Sequence, residues 1–320
     1  RQQSPGVAYN AHDDEYLIVW DDGRLDPDDT DIYGQIVSAS GIPQSDNIPI
    51  GKAAGAKMRP TVAFDVSSHS YMVVWQDSRS GVWDVYGQII SASGALSGTA
   101  FPVIADPAAQ VEPDLVYNVV SDEHLAVWMD KDDSSIKGQL LDGTGGLVGT
   151  TPISIARAAG GDPRAAVNSH AGGYVVVYED SHDIYGQALA GDGSLTGSPF
   201  VICDDAAAQD YPDVAFNSLS HEYLVVWHNV WGGGGRDIYA RRISGQGEIL
   251  SWFAVTAGPH DRAYPSVAYD PDHDRYLVVW MYDFFGDGSD WDIVGRFIPW
   301  DGPDASLTDF GICTWDSNQR

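Results

Sequence analysis

YLIVW at residues 16–20 is the stretch that decides the fold, because it returns as YMVVW (71–75), HLAVW (124–128), YVVVY (174–178), YLVVW (223–227) and YLVVW (276–280). The closing aromatics, Trp20, Trp75, Trp128, Tyr178, Trp227 and Trp280, stand 55, 53, 50, 49 and 53 residues apart. An apolar run without alternation fits a short strand covered on both faces. Self-similarity at a period near 50 marks the blades of a propeller, each a four-stranded sheet.

The flanks of each run repeat as well. Ahead of it lies P-x-V-A-aromatic-N/D, at residues 5–10, 60–65, 113–118, 212–217 and 265–270, with a degenerate copy at 163–168. Proline at a strand's first residue leaves the ladder intact, so the first strand is expected to begin there. Behind the run comes DIYGQ (31–35 and 183–187), with DVYGQ, SIKGQ, DIYAR and DIVGR starting at Asp84, Ser135, Asp237 and Asp292. This third strand carries a glycine, and a cross-strand aromatic from the second strand is the expected cover for it. Short apolar segments such as FPVI (101–104) and PFVI (199–202) supply the fourth strand. The expected fold is an all-β six-bladed β-propeller with four antiparallel strands per blade. It forms one domain over residues 1–320, with blades at about 5–50, 60–104, 113–155, 163–203, 212–256 and 265–313. Closure is expected through packing alone, since it removes exposed sheet edges.

Of the 46 acidic residues 40 are Asp, and the formal charge is −29 with a pI near 4.2. Asp favours turns over helices, which suits many tight connections between strands, and short loop carboxylates are good ligands for calcium. So large a negative charge opposes contact with phosphate backbones, so no nucleic-acid partner is expected. No apolar run approaches the roughly 20 residues of a membrane-spanning helix, and no membrane insertion is expected. Arg1 in place of Met reads as a processed chain or an excised domain. Cys203 and Cys313 follow the fourth strands of blades four and six, too far apart for the roughly 7 Å limit of a disulfide, so no bond is expected.

In its YLVVW, Asp-rich loop and DIYGQ motifs the whole chain resembles a group of β-propeller repeats from secreted and surface proteins of bacteria and archaea. The resemblance implies an extracellular or cell-surface location and no single activity, because propellers host lectins, hydrolases, lyases and scaffolds alike.

Variable loops on a repetitive scaffold are where binding is expected, and here they join strands two and three. Clustered carboxylates at Asp26, Asp28 and Asp31, and at Asp287, Asp290 and Asp292, are the candidate calcium ligands. The plainer alternative is that such Asp residues cap turns and pair with Arg24, Arg79 or Arg236. The loop aromatics Trp83, Trp231, Phe284, Phe285 and Trp291 are candidates for stacking on the apolar face of a sugar ring, against local packing over the loop bases. At the starts of the first strands, the mixture of Arg59, Glu112, Asp114, Asp162, Arg164, Tyr211, Asp213 and Tyr264 reads as salt bridging rather than as a metal centre. Six of the nine histidines recur at or beside the turn joining strands one and two, a property of the turn. GxSxG, HExxH, P-loop and sialidase-box signatures are all missing. The expected function is therefore a non-enzymatic, calcium-stabilised extracellular module that binds a glycan or a partner protein. A carbohydrate-active hydrolase or lyase, or a structural link in a surface layer, are the alternatives.

Overall fold

The six YLIVW-type runs form the second strands of six four-stranded antiparallel sheets, each ordered one to four along the chain. The structure is a computed structural model and describes residues 2–26, 28–231, 235–283, 291–304 and 306–313. Among these residues there are 24 strands, and no helix is long and apolar enough to cross a membrane. The first sheet joins Gln2–Asn10, Glu15–Asp22, Asp31–Ser38 and Ile48–Gly51, and the other five repeat that meander. The architecture is an all-β six-bladed β-propeller with four antiparallel strands in each blade.

Contacts divide the chain into two compact units. One is Arg1–Arg157 with Gly161–Ala165 and Gly191–Ser194, and the other is Ala158–Gly160 with Ala166–Ala190 and Leu195–Arg320. Within each, buried clusters straddle consecutive blades. In the first unit Leu17, Val19 and Ile32 pack on Tyr71, Val73 and Trp75, while Met72 and Val74 turn the other way onto Leu115 and Trp128. In the second, Val175, Val177 and Ile202 pack on Tyr223, Val225 and Trp227, while Leu224 and Val226 meet Tyr276, Val278 and Trp280. Alternate side chains of a strand point to opposite faces, so one apolar run serves two interfaces. This is why the run is apolar throughout.

The glycine of the third strand is covered differently from the expectation. Trp75 pairs with Tyr86, and Gly87 pairs with Val74, which places the indole and the glycine on opposite faces of the sheet. What fills the space over Gly87 is the fourth strand's Phe101, whose ring lies 2.8 Å from where a Cβ would stand; Phe200 does the same to Gly186 at 2.6 Å. The indole of Trp75 instead reaches Gly51 of the preceding blade, 3.1 Å from its would-be Cβ. Fourth strands are also longer than the apolar segments suggested, spanning Leu96–Ile104 and Leu195–Cys203. Cys203 and Cys313 are free thiols, the first buried beside Trp227 and pushed up to about 11 by burial.

First strands begin two to four residues before their prolines, as in Lys57–Asp65, Gln110–Asn118 and Arg262–Asp270. A bulge makes this possible: pairing skips between Met58 and Thr61, and again between Ala263 and Ser266. In all six blades the residue before the proline has a left-handed backbone, with φ of 48° at Ser4, 52° at Arg59, 58° at Glu112, 45° at Asp162, 56° at Tyr211 and 55° at Tyr264. That conformation costs about 1–2 kcal/mol for a residue with a side chain. It turns the peptide N–H toward the preceding blade. Arg59 N donates to Asp21 Oδ1 at 3.4 Å, Glu112 N to Gln76 Oε1 at 3.0 Å, and Tyr264 N to His228 Nδ1 at 3.4 Å.

One residue of the core breaks the pattern. His124 is fully buried where the five sister strands have Tyr16, Tyr71, Tyr174, Tyr223 and Tyr276, and neither ring nitrogen has a hydrogen-bond partner among the described residues. Burial pushes its pKa from the ordinary 6.5 down to about 4, against the opposing charges of Asp65, Asp122 and Asp142. The unfolded chain therefore takes up the proton first, and stability is lost as pH falls from about 6.5 to about 4. Replacing His124→Tyr is expected to raise the melting temperature, with the advantage over wild type growing between pH 7 and pH 4.5. A constant advantage across that range, measured by thermal denaturation, would contradict this account of His124.

Candidate functional site

The loops between strands two and three start from a fixed clamp. The indole N–H of the closing tryptophan donates to a side chain two residues on: Trp20 to Asp22 at 2.9 Å, Trp75 to Asp77 at 2.8 Å, and Trp227 to Asn229 at 2.6 Å. Two residues further, Arg24 and Arg79 grip the same carboxylates, with Nε–O distances of 2.8 and 2.9 Å. Their guanidinium groups lie over Tyr33 and Tyr86, 4.3 and 3.9 Å from the ring centres. Arg24 holds the Asp22 carboxyl well below the usual carboxylate range. In blade three Lys137 takes over, 2.7 Å from Asp130, and the Trp128 N–H has no partner among the described residues.

Blades four and five put other chemistry at the arginine's position, four residues after the closing aromatic: His182 and Trp231. In blade five, Trp231 meets Tyr239 edge-on with ring centroids 6.3 Å apart, and Trp252 of the fourth strand lies 5.8 Å from the same ring. Trp231 is 42% exposed and Trp252 53%, so the three rings form an open aromatic platform. Asp237 and Asp205 bear electrostatically on the Tyr239 hydroxyl, and burial together with these charges raises its pKa.

In blade four, His182 sits on a turn where it and Ser181 both have positive φ, 71° and 56°. Its Nδ1 is 3.2 Å from Asp210 Oδ1 and 3.6 Å from Glu179 Oε1. Asp210 follows Gln209, whose N–H donates to the His182 carbonyl at 2.8 Å and so fixes the loop against the next blade's first strand. The other Asp210 oxygen faces His228 Nε2 at 3.8 Å. His228 is buried and accepts the Tyr264 N–H at Nδ1, which leaves the proton on the nitrogen turned to Asp210. Tyr211 and Tyr264 cluster with His228, their rings 4.6 Å apart and 5.4 and 5.9 Å from the imidazole. The hydrogen bond to Asp210, then the charges of Asp210 and Glu179, raise the His182 pKa; His228 and His182 lower that of Asp210. Gly160 lies close beside Glu179, where a Cβ would stand 2.4 Å from the carboxyl carbon and push that side chain aside.

The residues singled out from the sequence fall into three groups. Trp231 is exposed on the platform, whereas Trp83 and Trp291 are half-buried, and the Trp83 carbonyl accepts the Gln110 N–H in an interblade link. Asp26 and Asp28 are exposed, and Asp28 N donates to Asp26 Oδ1 at 2.9 Å. Asp31 faces the buried Lys57 ammonium of the next blade at 3.5 Å, and Lys57 also donates to the carbonyls of Ala53 and Gly55. Asp292 lies in the third strand of blade six, opposite Tyr282. Phe284, Phe285, Asp287 and Asp290 lie outside the described residues.

At the first-strand starts the mixed charges do form salt bridges: Arg59 to Asp162 at 3.0 Å and to Glu112 at 3.7 Å. Asp114 and Asp213 pin neighbouring first strands through the N–H groups of Ala165 and Val267, both at 2.9 Å. Arg236 pairs with Asp261 at 3.0 Å. His182, Asp210, Glu179 and Trp252 were missed by the sequence reading. Counting residues from the closing aromatic would have shown His182 replacing an arginine.

No family model matches the sequence, and neither does any curated protein. Among solved structures the chain is similar to hydrazine synthase from Kuenenia stuttgartiensis, at 9% identity and a TM-score of 0.64, over 94% of this chain and 78% of that one. It is also similar to the periplasmic gluconolactonase of Pseudomonas aeruginosa, at 12% identity and a TM-score of 0.61, over 97% and 85%. A third likeness is to an exo-β-1,3-galactanase from Phanerochaete chrysosporium, at 11% identity and a TM-score of 0.51, over 98% and 90%. Likeness at such identity shows the fold alone.

The clamp and the exposed loop carboxylates make opposite predictions. Asp77→Ala strands the buried Trp75 N–H and Arg79, and should cost about 3 kcal/mol of unfolding free energy. Asp26→Ala should change it by less than about 0.5 kcal/mol. Urea denaturation of both variants measures the contrast, and equal effects would contradict the assignment of Asp77 to structure.

Proposed function

We propose that the chain is an extracellular, non-enzymatic binding module that recognises a glycan through the aromatic platform of blade five. The observation that carries this reading is the pair of exposed indoles, Trp231 and Trp252, that both contact Tyr239. Aromatic faces stack on the apolar CH face of a sugar ring, and neighbouring carboxylates accept its hydroxyls, a role that falls here to Asp205, because Asp237 already accepts the Gly258 N–H and faces Arg262 at 3.5 Å. Two large hydrophobic side chains left open on a strongly acidic surface are otherwise unfavourable to solubility. The exo-β-1,3-galactanase among the similar structures acts on carbohydrate, but at 11% identity the likeness extends to the fold alone, so the reading rests on the platform.

Calcium belongs to the same proposal as a stabiliser of the Asp-rich loops. In the first blade it falls to Asp26 and Asp28, because Asp31 already faces the Lys57 ammonium. Calcium returned to chelator-stripped protein is expected to raise the melting temperature in wild type and in His182→Ala alike. An unchanged melting temperature removes calcium from the account.

Screening on a glycan array, followed by titration of the best ligand, tests the binding role. Trp252→Ala is expected to weaken binding more than about 10-fold while leaving the melting temperature unchanged, with Trp231→Ala similar. Turnover of the bound glycan would contradict a non-enzymatic role, and self-association without glycan binding would favour the surface-layer alternative.

A further inference from the structure

We propose that Glu179, His182 and Asp210 form a binding site for a divalent transition-metal ion such as zinc. Among the described residues this is the one group of three potential ligand side chains whose donor atoms all lie within 4.8 Å of one another. A four-coordinate ion with bonds of about 2.1 Å holds its donors about 3.4 Å apart. The distances from His182 Nδ1, 3.2 Å to Asp210 Oδ1 and 3.6 Å to Glu179 Oε1, already bracket that value. Two carboxylates balance the ion's charge. The imidazole separates the site from the solvated acidic turns elsewhere in the chain and selects a borderline metal over calcium, which takes oxygen ligands.

The surroundings suit the role. His182 is 69% exposed, so an ion and a fourth ligand from solvent have access, whereas the Glu179 carboxylate is 15% exposed and held in place by the His182 N–H at 3.0 Å. His228 acts from behind: its protonated nitrogen faces the second Asp210 oxygen at 3.8 Å and orients the carboxylate, the part an outer-shell partner plays in a metal site. The three ligands come from three different repeat positions. His182 replaces the clamp arginine, Glu179 follows the closing aromatic, and Asp210 stands two residues before its proline, where the other blades have Gln3, Met58, Val111, Gly161 and Ala263. The repeat accounts for a polar side chain at Glu179, since Asp21, Gln76 and His228 at the same position accept the next blade's peptide N–H, but it explains neither His182 nor Asp210.

The test is calorimetric titration of chelator-stripped protein with zinc, and with cobalt as a spectroscopic probe, on wild type, His182→Ala and His170→Ala. The last removes one ring of another histidine pair, His170 and His221, 4.4 Å apart, and controls for adventitious binding. One saturable site per chain is expected in wild type and in His170→Ala, with a cobalt spectrum of low coordination number. His182→Ala should weaken it more than about 10-fold without lowering the melting temperature of the metal-free protein. The proposal is overturned if wild type shows no saturable site, if His182→Ala binds as wild type does, or if calcium competes equally with zinc.

Discussion

The structure depends on the aromatic side chain that ends a second strand, packed for Trp75, Trp128, Trp227 and Trp280 against the preceding blade of the same unit. Trp75 lies over Gly51, and Trp227 is buried with Ile202 and Cys203. The strand that delivers it points alternate residues into two interfaces, so its burial on both faces glues three sheets at once. Burying a large apolar side chain is worth about 1.5–3 kcal/mol, and here the contribution recurs blade after blade. Asp22, Asp77 and Asn229 keep the indole nitrogen satisfied in that dry setting.

Much of this was legible from the sequence. Five-residue runs without alternation, recurring near every 50 residues, dictate doubly covered strands in a meander, and the six sheets follow. The left-handed residue before each proline was not legible, because proline ordinarily drives its predecessor toward extended backbone. Only the interblade hydrogen bonds at Arg59, Glu112 and Tyr264 reveal what compensates for the conformation. The cover over the third-strand glycine was misjudged for a related reason: the register that places Trp75 opposite Tyr86 is a property of pairing and cannot be counted along one strand.

The candidate sites were partly hidden by abundance. With 40 Asp in the chain, carboxylate clusters are poor markers, and Asp31 proves to face a buried lysine. Histidines looked like turn residues because six of them recur there, which obscured His182 and His228. Binding chemistry stands out as departures from the period instead. Trp231 and His182 occupy the place where Arg24 and Arg79 lock their loops, so replacing a clamp frees both a side chain and the surface it covered.

The account's central claim is that the YLVVW-type strands are the most protected elements and that all six share the task. Amide hydrogen exchange resolved along the chain measures this directly. The account predicts that the slowest amides lie in 16–20, 71–75, 124–128, 174–178, 223–227 and 276–280, at comparable protection, with the loops between strands two and three exchanging fast. Slowest exchange in those loops, or unprotected amides in the apolar runs, would contradict it.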